Sequence, residues 1–419
     1  MVLNRRILVL FLSLFIGVAH ATTMTVQQAL ERAYQQNLDY LIAAEQVMKA
    51  RESEHIAYAR LYPSLSMNAG RTEQLDNNQD LPRDSSYSGG LTVAQTIYDP
   101  SVWEEWKKSE LSLTISELSY VRQKQLLTFQ VRQSWYSYIT NLALAKEAEE
   151  SLERLKQHRK NALHLYENGS IWRNDLLQAD VRVARGEQTL LQAKNIVKRS
   201  QTDLNILLNQ NILTEIQPDT TIGAPTDVPT LAQCLVMAIE SRPDIVQQGL
   251  RVKISRRDSD IAFAGYLPTV TARLSHSASS DNFDFSNSRD SSQLNLNFSW
   301  TLWDTLSNRS RYRSAKHDVQ IALRNYDKLR EIVQQETHVA WLAEQEAKHN
   351  IEVLQKAVSQ AEENFRVTQI RYKEQLSTAN DVLDAQDLLT STRNDLLAAR
   401  GAYQIARAQL LFAIGKENL

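Results

Sequence analysis

Two aspartates near the end of the chain are the side chains whose type and spacing could do chemistry. Asp381 and Asp384 are three residues apart, so a helix would carry both carboxylates on one face. Like charges held together in this way repel each other and attract cations. The positive end of a helix dipole also stabilises acids near a helix N-terminus, and that effect alone accounts for their position. The sequence therefore allows either a charged site or a stabilised helix start.

Nothing else in the sequence predicts catalysis or a bound cofactor. The eight histidines are scattered, and none forms a His-x-x-x-His pair with an acid between them. There is no glycine-rich phosphate loop and no serine nucleophile elbow. The single cysteine, Cys234, cannot form an intramolecular disulfide, and a formal net charge of −2 gives no basic excess for nucleic acid. We therefore expect no enzyme activity, no cofactor, no metal centre and no nucleic-acid partner.

The elements that must position these aspartates occur twice, because the chain is an internal duplication. Two similar segments begin at Thr25 and Thr230, a spacing of 205 residues. After one inserted residue the spacing becomes 206, and the pairs at this spacing are Trp135 with Trp341, Tyr166 with Tyr372, Asp175 with Asp381 and Ala179 with Ala385. Asp175 is thus the counterpart of Asp381 in the first half. A register held over such a length indicates two copies of one structural unit.

Each copy is predicted to run helix, strand, strand, long helix, shorter helix, which makes the fold mainly α with a small β part. The first repeat, 22–209, has predicted helices at 25–60, 100–167 and 174–209 and predicted strands at 64–73 and 86–98. The second repeat, 230–419, has predicted helices at 230–265, 305–373 and 378–415 and predicted strands at 269–280 and 291–303. The linker 210–229 contains proline and glycine, and we expect it to form an equatorial belt midway along the helices.

The first 21 residues are typical of a secretory signal peptide. Arg5 and Arg6 precede an apolar run that is too short for a membrane-spanning helix, and Ala19-His20-Ala21 has the small-residue pattern of a cleavage site. No cysteine lies near Thr22, so a lipid-modified N-terminus is not supported. The chain stops at Leu419, just after the second repeat, from which we expect a thin belt without a C-terminal extension.

The predicted strands indicate the environment in which the protein works. In 291–303 apolar residues such as Leu294 and Leu296 alternate with polar ones. Strands of about 10 to 13 residues with one apolar face, in an exported protein, have the length of outer-membrane barrel strands. Four strands cannot close a barrel, so several chains would have to share one. The alternative is a water-soluble β-layer packed on the helices of a periplasmic coiled-coil scaffold or adaptor protein.

The long helix of the second repeat carries a seven-residue apolar spacing. Its positions are Val319, Tyr326, Val333, Ala340, Ala347, Leu354 and Ala361. Such a spacing is the seam of a helix that packs along a neighbour as in a coiled coil.

These features together resemble the TolC family of outer-membrane efflux proteins. The resemblance covers nearly the whole chain after residue 21; it rests on the duplicated plan, on the junctions that end at Pro63 and Pro268, and on the segment from Tyr372 to Ala385. It implies a homotrimer with a 12-stranded barrel in outer-membrane lipid, continuous with a coiled-coil α-barrel in the periplasm. It also implies a passive duct that works with a periplasmic adaptor protein and an inner-membrane transporter of the RND or ABC type. Drug or small-molecule efflux and type I protein secretion both remain open as its task.

The resemblance also assigns roles to four residues. Asp381 and Asp384 match inward-facing aspartates that form rings at the constricted pore end, whereas Asp175 and Tyr372 match members of a latch between neighbouring coiled coils. The sequence departs from the family in the latch itself, because Ser377 stands in place of the usual arginine and Gln375 in place of a glycine. Arg173 and Lys373 are the candidate replacements for that arginine.

Overall fold

The computed structural model describes residues 23–73, 85–221, 223, 225, 227–283, 288–374 and 376–417. The predicted signal peptide, 1–21, lies outside the described residues. The duplication is visible in the order of the elements. The first repeat contains α1 (Val26–Gln36), α2 (Leu38–Ala59), β1 (Ser64–Glu73), β2 (Ser85–Tyr98), α3 (Pro100–Glu167) and α4 (Arg173–Leu207). The second contains α5 (Leu231–Ser241), α6 (Pro243–Ala264), β3 (Thr269–Ser280), β4 (Arg289–Ser299), α7 (Ser307–Lys373) and α8 (Ala379–Ala413).

The predicted helices 25–60 and 230–265 are each two helices, which corrects the prediction. Asn37 separates α1 from α2 and has extended backbone angles, with φ −64° and ψ 126°. Arg242 occupies the same place between α5 and α6, with φ −74° and ψ 122°. The side chains of both residues donate to the last turn of their own repeat: Asn37 Nδ2 to the Leu207 carbonyl at 3.0 Å, and Arg242 Nη1 to the Ala413 carbonyl at 3.3 Å. The residue at each break thus joins the first helix of its repeat to the last helix by a hydrogen bond.

The ends of the two repeats are also alike. Asn209 and Gly415 both have positive φ, 48° and 74°, just after α4 and α8. A residue in this conformation ends a helix by turning the chain so that free carbonyls are satisfied. Gln210 N donates to Asn205 O, and Lys416 N donates to Leu411 O, over the same span of five residues. The duplication therefore extends to the helix caps.

Two long helices run through the whole helical part. At 68 residues, α3 is about 100 Å long. Next to the sheet the helices lie side by side in the order α2, α3, α6, α7, and away from the sheet in the order α4, α3, α8, α7. Among the residues that the structure describes, no helix combines the length and the apolar character needed to cross a bilayer.

The seam of α7 is buried against these neighbours. Val333 and Ala340 are fully buried, Ala361 is nearly so, and Val319 lies at the edge of the core. At the corresponding place in the first repeat, Trp135 and Val131 of α3 pack in a core with residues of α1 and α4. Burial at a spacing of seven residues explains how one helix can pack over such a length.

The linker 210–229 contacts helices of both repeats. Its Ile216 carbonyl accepts from the buried Tyr138 hydroxyl at 2.8 Å, and Pro218 forms a β-bridge with Met24. Further along, the Gly223 carbonyl accepts from Gln404 of α8 and the Pro229 carbonyl accepts from Trp341 of α7. These bonds place the linker across the middle of the helical part, where the chain passes from one repeat to the next.

The start of the second long helix differs from the first. Asp99 and Pro100 start α3 at once, because the Asp99 side chain caps the helix and proline suits its first position. No proline follows Asp304, and Thr305 and Leu306 both take positive φ, so α7 begins at Ser307. The predicted strand 291–303 likewise ends at Ser299, and the Trp300 indole donates to the Tyr266 carbonyl instead of extending the strand.

The four strands form one antiparallel sheet in the order β1-β2-β3-β4, with β1 and β4 at its edges. Directly opposite residues share a face, so the register defines rows across the sheet. One row is Leu65, Val93, Leu274 and Leu294. The neighbouring row, on the other face, is Ser64, Ala94, Arg273 and Asn295. The sheet therefore has an apolar face and a polar face, and the apolar face is exposed in the single chain.

Close packing of α3 on α8 yields a test of the helical part. A Cβ built on Gly401 would lie 2.0 Å from Thr140 Oγ1, whereas one on Gly249 of α6 would have no atom nearer than 3.8 Å. Gly401→Ala should therefore lose about 1–3 kcal/mol of stability through overpacking. Gly249→Ala is the matched control and should gain about 0.5–1 kcal/mol from helix propensity. Thermal unfolding followed by circular dichroism measures both changes, and equal midpoints for the two variants would refute this packing.

Candidate functional site

Two tight turns close the helical hairpins at the end away from the sheet. Between α3 and α4, Gly169 has a φ of 72°, and Ser170 N donates to Leu165 O at 2.8 Å. Between α7 and α8, Leu376 N donates to Arg371 O at 2.7 Å. We call this end, residues 165–175 and 371–386, the tip. The four residues with predicted roles lie on it.

Asp381 is part of a capping box at the start of α8. Its Oδ2 accepts from Thr378 N at 2.8 Å, and Thr378 Oγ1 accepts from Asp381 N at 3.2 Å. The backbone N–H of Thr378, followed by its side chain, lowers the pKa of Asp381 below its ordinary value. Asp381 thus stabilises its own helix start and stays ionised at neutral pH.

Asp384 lies on the same side of α8 as Asp381. Both are exposed, while the intervening Val382 and Leu383 and the following Ala385 are buried. The structure therefore places both carboxylates on the outside of the packed hairpins. Within the described part of the chain, no group of histidine, cysteine, aspartate and glutamate is arranged to hold a metal ion.

Tyr372 and Asp175 belong to two different hairpins that meet at the tip. The Tyr372 hydroxyl is buried and has no hydrogen-bond partner among the described residues. Burial raises the pKa of Tyr372, and the negative charge of Asp175 raises it further. A buried hydroxyl without a partner costs about 1–3 kcal/mol.

A cavity of about 1070 Å³ lies between the two hairpins beside these residues. Its walls include Asp175, Tyr372 and the buried His158 of α3, whose ring centroid is 6.0 Å from that of Tyr372. Burial lowers the pKa of His158, so its imidazole is neutral at pH 7. His158 was not predicted from the sequence, because a lone histidine among coiled-coil residues carries no signal of its burial.

Basic residues at the tip are arranged differently from the expected latch. After its hydrogen bonds with Thr378, a smaller cause of the lowered pKa of Asp381 is the positive charge of Arg371. The Arg371 Nη2 also donates to the Leu376 carbonyl at 3.5 Å. Of the two candidate replacements, Lys373 lines the cavity and Arg173 is exposed as the first residue of α4. The Ser377 hydroxyl donates to the Thr368 carbonyl at 3.3 Å. The other departure from the family pattern, Gln375, lies outside the described residues.

Two large apolar side chains at the tip were also missed. Trp172 is 84% exposed in the turn before α4, and Leu376 is 68% exposed in the turn before α8. A tryptophan in a predicted turn is a sequence signal, because tryptophan is enriched among the residues that contribute most to protein–protein binding.

A sheet with an exposed apolar face, joined to two helices of about 100 Å, indicates a class of protein: a membrane-anchored, mainly helical protein. The sequence pattern described as outer membrane efflux protein matches residues 29–210 and 234–416. The chain belongs to the outer membrane efflux protein family. It is a transport channel of the outer membrane with a large periplasmic portion, and not an enzyme.

Known proteins support this assignment. The chain is 22% identical to "Outer membrane protein TolC" of Salmonella enteritidis, over 97% of this chain and 86% of that protein. The CmeC outer membrane channel of Campylobacter jejuni has a similar fold, with a TM-score of 0.83 and 15% identity over 93% of this chain and 85% of that one. The open state of the MtrE outer membrane channel of Neisseria gonorrhoeae gives a TM-score of 0.78 and 19% identity, over 94% of this chain and 89% of that one.

The capping box separates the structural role of Asp381 from that of Asp384. Asp381→Ala should let the amide protons in the first turn of α8 exchange severalfold faster, since it removes a cap, whereas Asp384→Ala should not. Both variants gain the same helix propensity, so the difference reports the cap. Because the folded-state pKa of Asp381 is lowered, this protection is present at neutral pH and is lost as the pH falls through that pKa. Hydrogen exchange read by mass spectrometry tests this, and equal exchange in the two variants would contradict it.

Proposed function

We propose that three copies of this chain form one continuous duct that passively conducts substrates across the outer membrane. A periplasmic adaptor protein and an inner-membrane transporter of the RND or ABC type deliver the substrates. Membership of the family does not specify the cargo, so the proposal covers both small-molecule efflux and type I protein secretion. The alternative of a soluble periplasmic scaffold or adaptor is set aside, because the chain belongs to a family of outer membrane proteins.

The observation that carries this proposal is the open four-stranded sheet. Its edge strands β1 and β4 leave backbone N–H and C=O groups without partners in the sheet, and its apolar face is exposed. Lipid provides no hydrogen bonds, so strands in a bilayer must close into a barrel. Pairing β4 of one chain with β1 of the next satisfies both edges at once.

The number of copies follows from the need for a lumen. Two copies would give eight strands, and a barrel of that size has an interior only wide enough for side chains. Three copies give twelve strands and twelve helix positions around the axis, which leaves room for a water-filled channel. Three is also the number implied by the resemblance to the family.

At the tip we propose the roles that the resemblance implies. Asp381 and Asp384 from three chains bring six carboxylates towards one axis, where they attract cations and favour a bound divalent ion. Asp175 and Tyr372 lie where hairpins of the closed channel are latched together. The unpartnered Tyr372 hydroxyl supports this, because a buried hydroxyl in such a latch is expected to find its acceptor on a neighbouring hairpin. The exposed Trp172 and Leu376 are where we expect the adaptor protein to dock.

Assembly through the sheet can be tested with two adjacent residues of β4. Leu296 is 72% exposed on the apolar face, and Asn297 lies on the polar face. Leu296→Arg should cost about 2–4 kcal/mol per chain near the bilayer midplane, whereas Asn297→Arg should be tolerated. Chemical cross-linking in detergent should give trimers for the parent and for Asn297→Arg, and fewer for Leu296→Arg. Monomers alone from the parent would refute the proposed assembly.

The aspartate ring can be tested by conductance. Replacing Asp381 and Asp384 together by alanine should leave the trimer intact, because both side chains are exposed. It should lower cation selectivity and weaken block by divalent ions in planar bilayers, since six charges are removed from the axis. Asp395→Ala on the same helix, about 16 Å further from the tip, is the matched control. If the double variant and the parent have the same selectivity and block, the two aspartates act only at the helix start.

A further inference from the structure

The polar face of the sheet carries an uneven distribution of charge. Among the described strand residues, that face has two charged side chains, Arg273 and Arg289, and no acidic one. The acids of the strands, Glu73 and Asp290, lie on the opposite face together with Arg71. The polar face is therefore purely basic.

Arg273 has no counter-charge within the described part of the chain. It is exposed in the middle of β3, between Ala94 of β2 and Asn295 of β4, and no ion pair or hydrogen bond to its side chain is present there. Arg289, near the outer end of the sheet, lies 4.0 Å from the Asp281 carboxylate. The unpaired charge on this face is thus that of Arg273.

The surroundings of Arg273 are those of a binding surface. A cavity of about 540 Å³ lies at the foot of the polar face, where the sheet meets the end of α2, and Arg273 and Arg60 both line it. Arg60 is neutralised by Glu105 at 2.6 Å. Arg273 is therefore available to a ligand in the lumen.

We propose that Arg273 forms, in three copies, a cationic ring in the lumen of the barrel that favours anionic cargo. This inference rests on the proposed trimer. It assigns to the duct a substrate class, namely organic anions that carry carboxylate or phosphate groups. A guanidinium suits such groups because its planar N–H donors match two oxygens at once.

The geometry makes such a ring effective. Twelve strands spaced by about 4.8 Å and tilted by about 40° give a backbone radius of about 12 Å. Arginine side chains that extend inward from this radius approach each other to roughly the Debye length of physiological salt, about 8 Å. Their fields therefore overlap across the lumen. Rings of arginine or lysine are a general means of selecting anions in pores.

The ring would complement the acidic tip. Asp381 and Asp384 lie at the far end of helices about 100 Å long, beyond the range of direct interaction with Arg273. The duct would thus contain two filters of opposite sign in series, so each must be measured with the other neutralised.

The experiment measures reversal potentials of purified trimers in planar bilayers under a KCl gradient. In the background in which Asp381 and Asp384 are both alanine, Arg273→Glu should lower the chloride-to-potassium permeability ratio by about threefold, and more at low salt. Arg273→Gln should give an intermediate permeability ratio. Arg273→Lys should keep the ratio of the background protein, because lysine carries the same charge. Citrate, a trivalent anion, added at the extracellular side should block the parent and not Arg273→Gln.

Arg71→Gln is the matched control, because Arg71 is in the same sheet but on the apolar face. It should leave both selectivity and citrate block unchanged. If the parent conducts as a trimer but Arg273→Glu and Arg273→Gln match it in both readouts, the inference is wrong while the duct stands. If the parent forms no conducting trimer, the proposed function itself fails. An equal effect of Arg71→Gln would also overturn the assignment of Arg273 to the lumen.

Discussion

The unpaired edges of one small sheet set the constraint on which the rest of this structure depends. Four strands with an exposed apolar face cannot remain alone in lipid, because their edge N–H and C=O groups would lack partners. In the proposed assembly, closure by further copies fixes the angular space of each chain. The helices fit that space by lying four abreast both next to the sheet and away from it. The long helices α3 and α7 run through both regions. One backbone requirement in the membrane is thus linked to the packing of helices about 100 Å long.

The two repeats solve the same local problem with different side chains. Each must anchor its first helix to the end of its last, and Asn37 does so with a neutral amide. Arg242 does so with a buried guanidinium, which needs counter-charges and obtains them from Asp244 and Glu336 at 2.6 and 2.7 Å. Burial alone would raise the pKa of Asp244, but Arg242 lowers it overall. The second repeat therefore joins its helices through ion pairs that need an ionised Asp244, and this contribution is lost as the pH falls through the lowered pKa.

The cavity beside the tip is lined by side chains with buried polar atoms that lack partners. The Tyr372 hydroxyl and the Nε of Arg154 are buried without hydrogen bonds in the described part of the chain, and the neutral His158 lies beside them. Groups of this kind make a region less stable than a fully satisfied core. The linker region also contains such groups, since Gln210 Oε1 and Glu344 Oε1 are buried without a partner among the described residues, although Tyr138 and Trp341 donate to linker carbonyls.

The sequence by itself determined the duplication, the strand alternation and the seam of α7, because each is a periodicity that local geometry imposes on side chains. It also determined the start of α3, since Asp99 and Pro100 act within one turn. The breaks at Asn37 and Arg242 also have local causes, because Asn37 caps α2 through Tyr40 N and Pro243 disfavours a helical conformation at Arg242. Only the tertiary structure decided that both side chains bond to carbonyls about 170 residues away. The same holds for the burial of His158 and for the isolation of Arg273, which depends on strand register. Contacts between distant segments carry no local signal, so these features emerge only when the chain is folded.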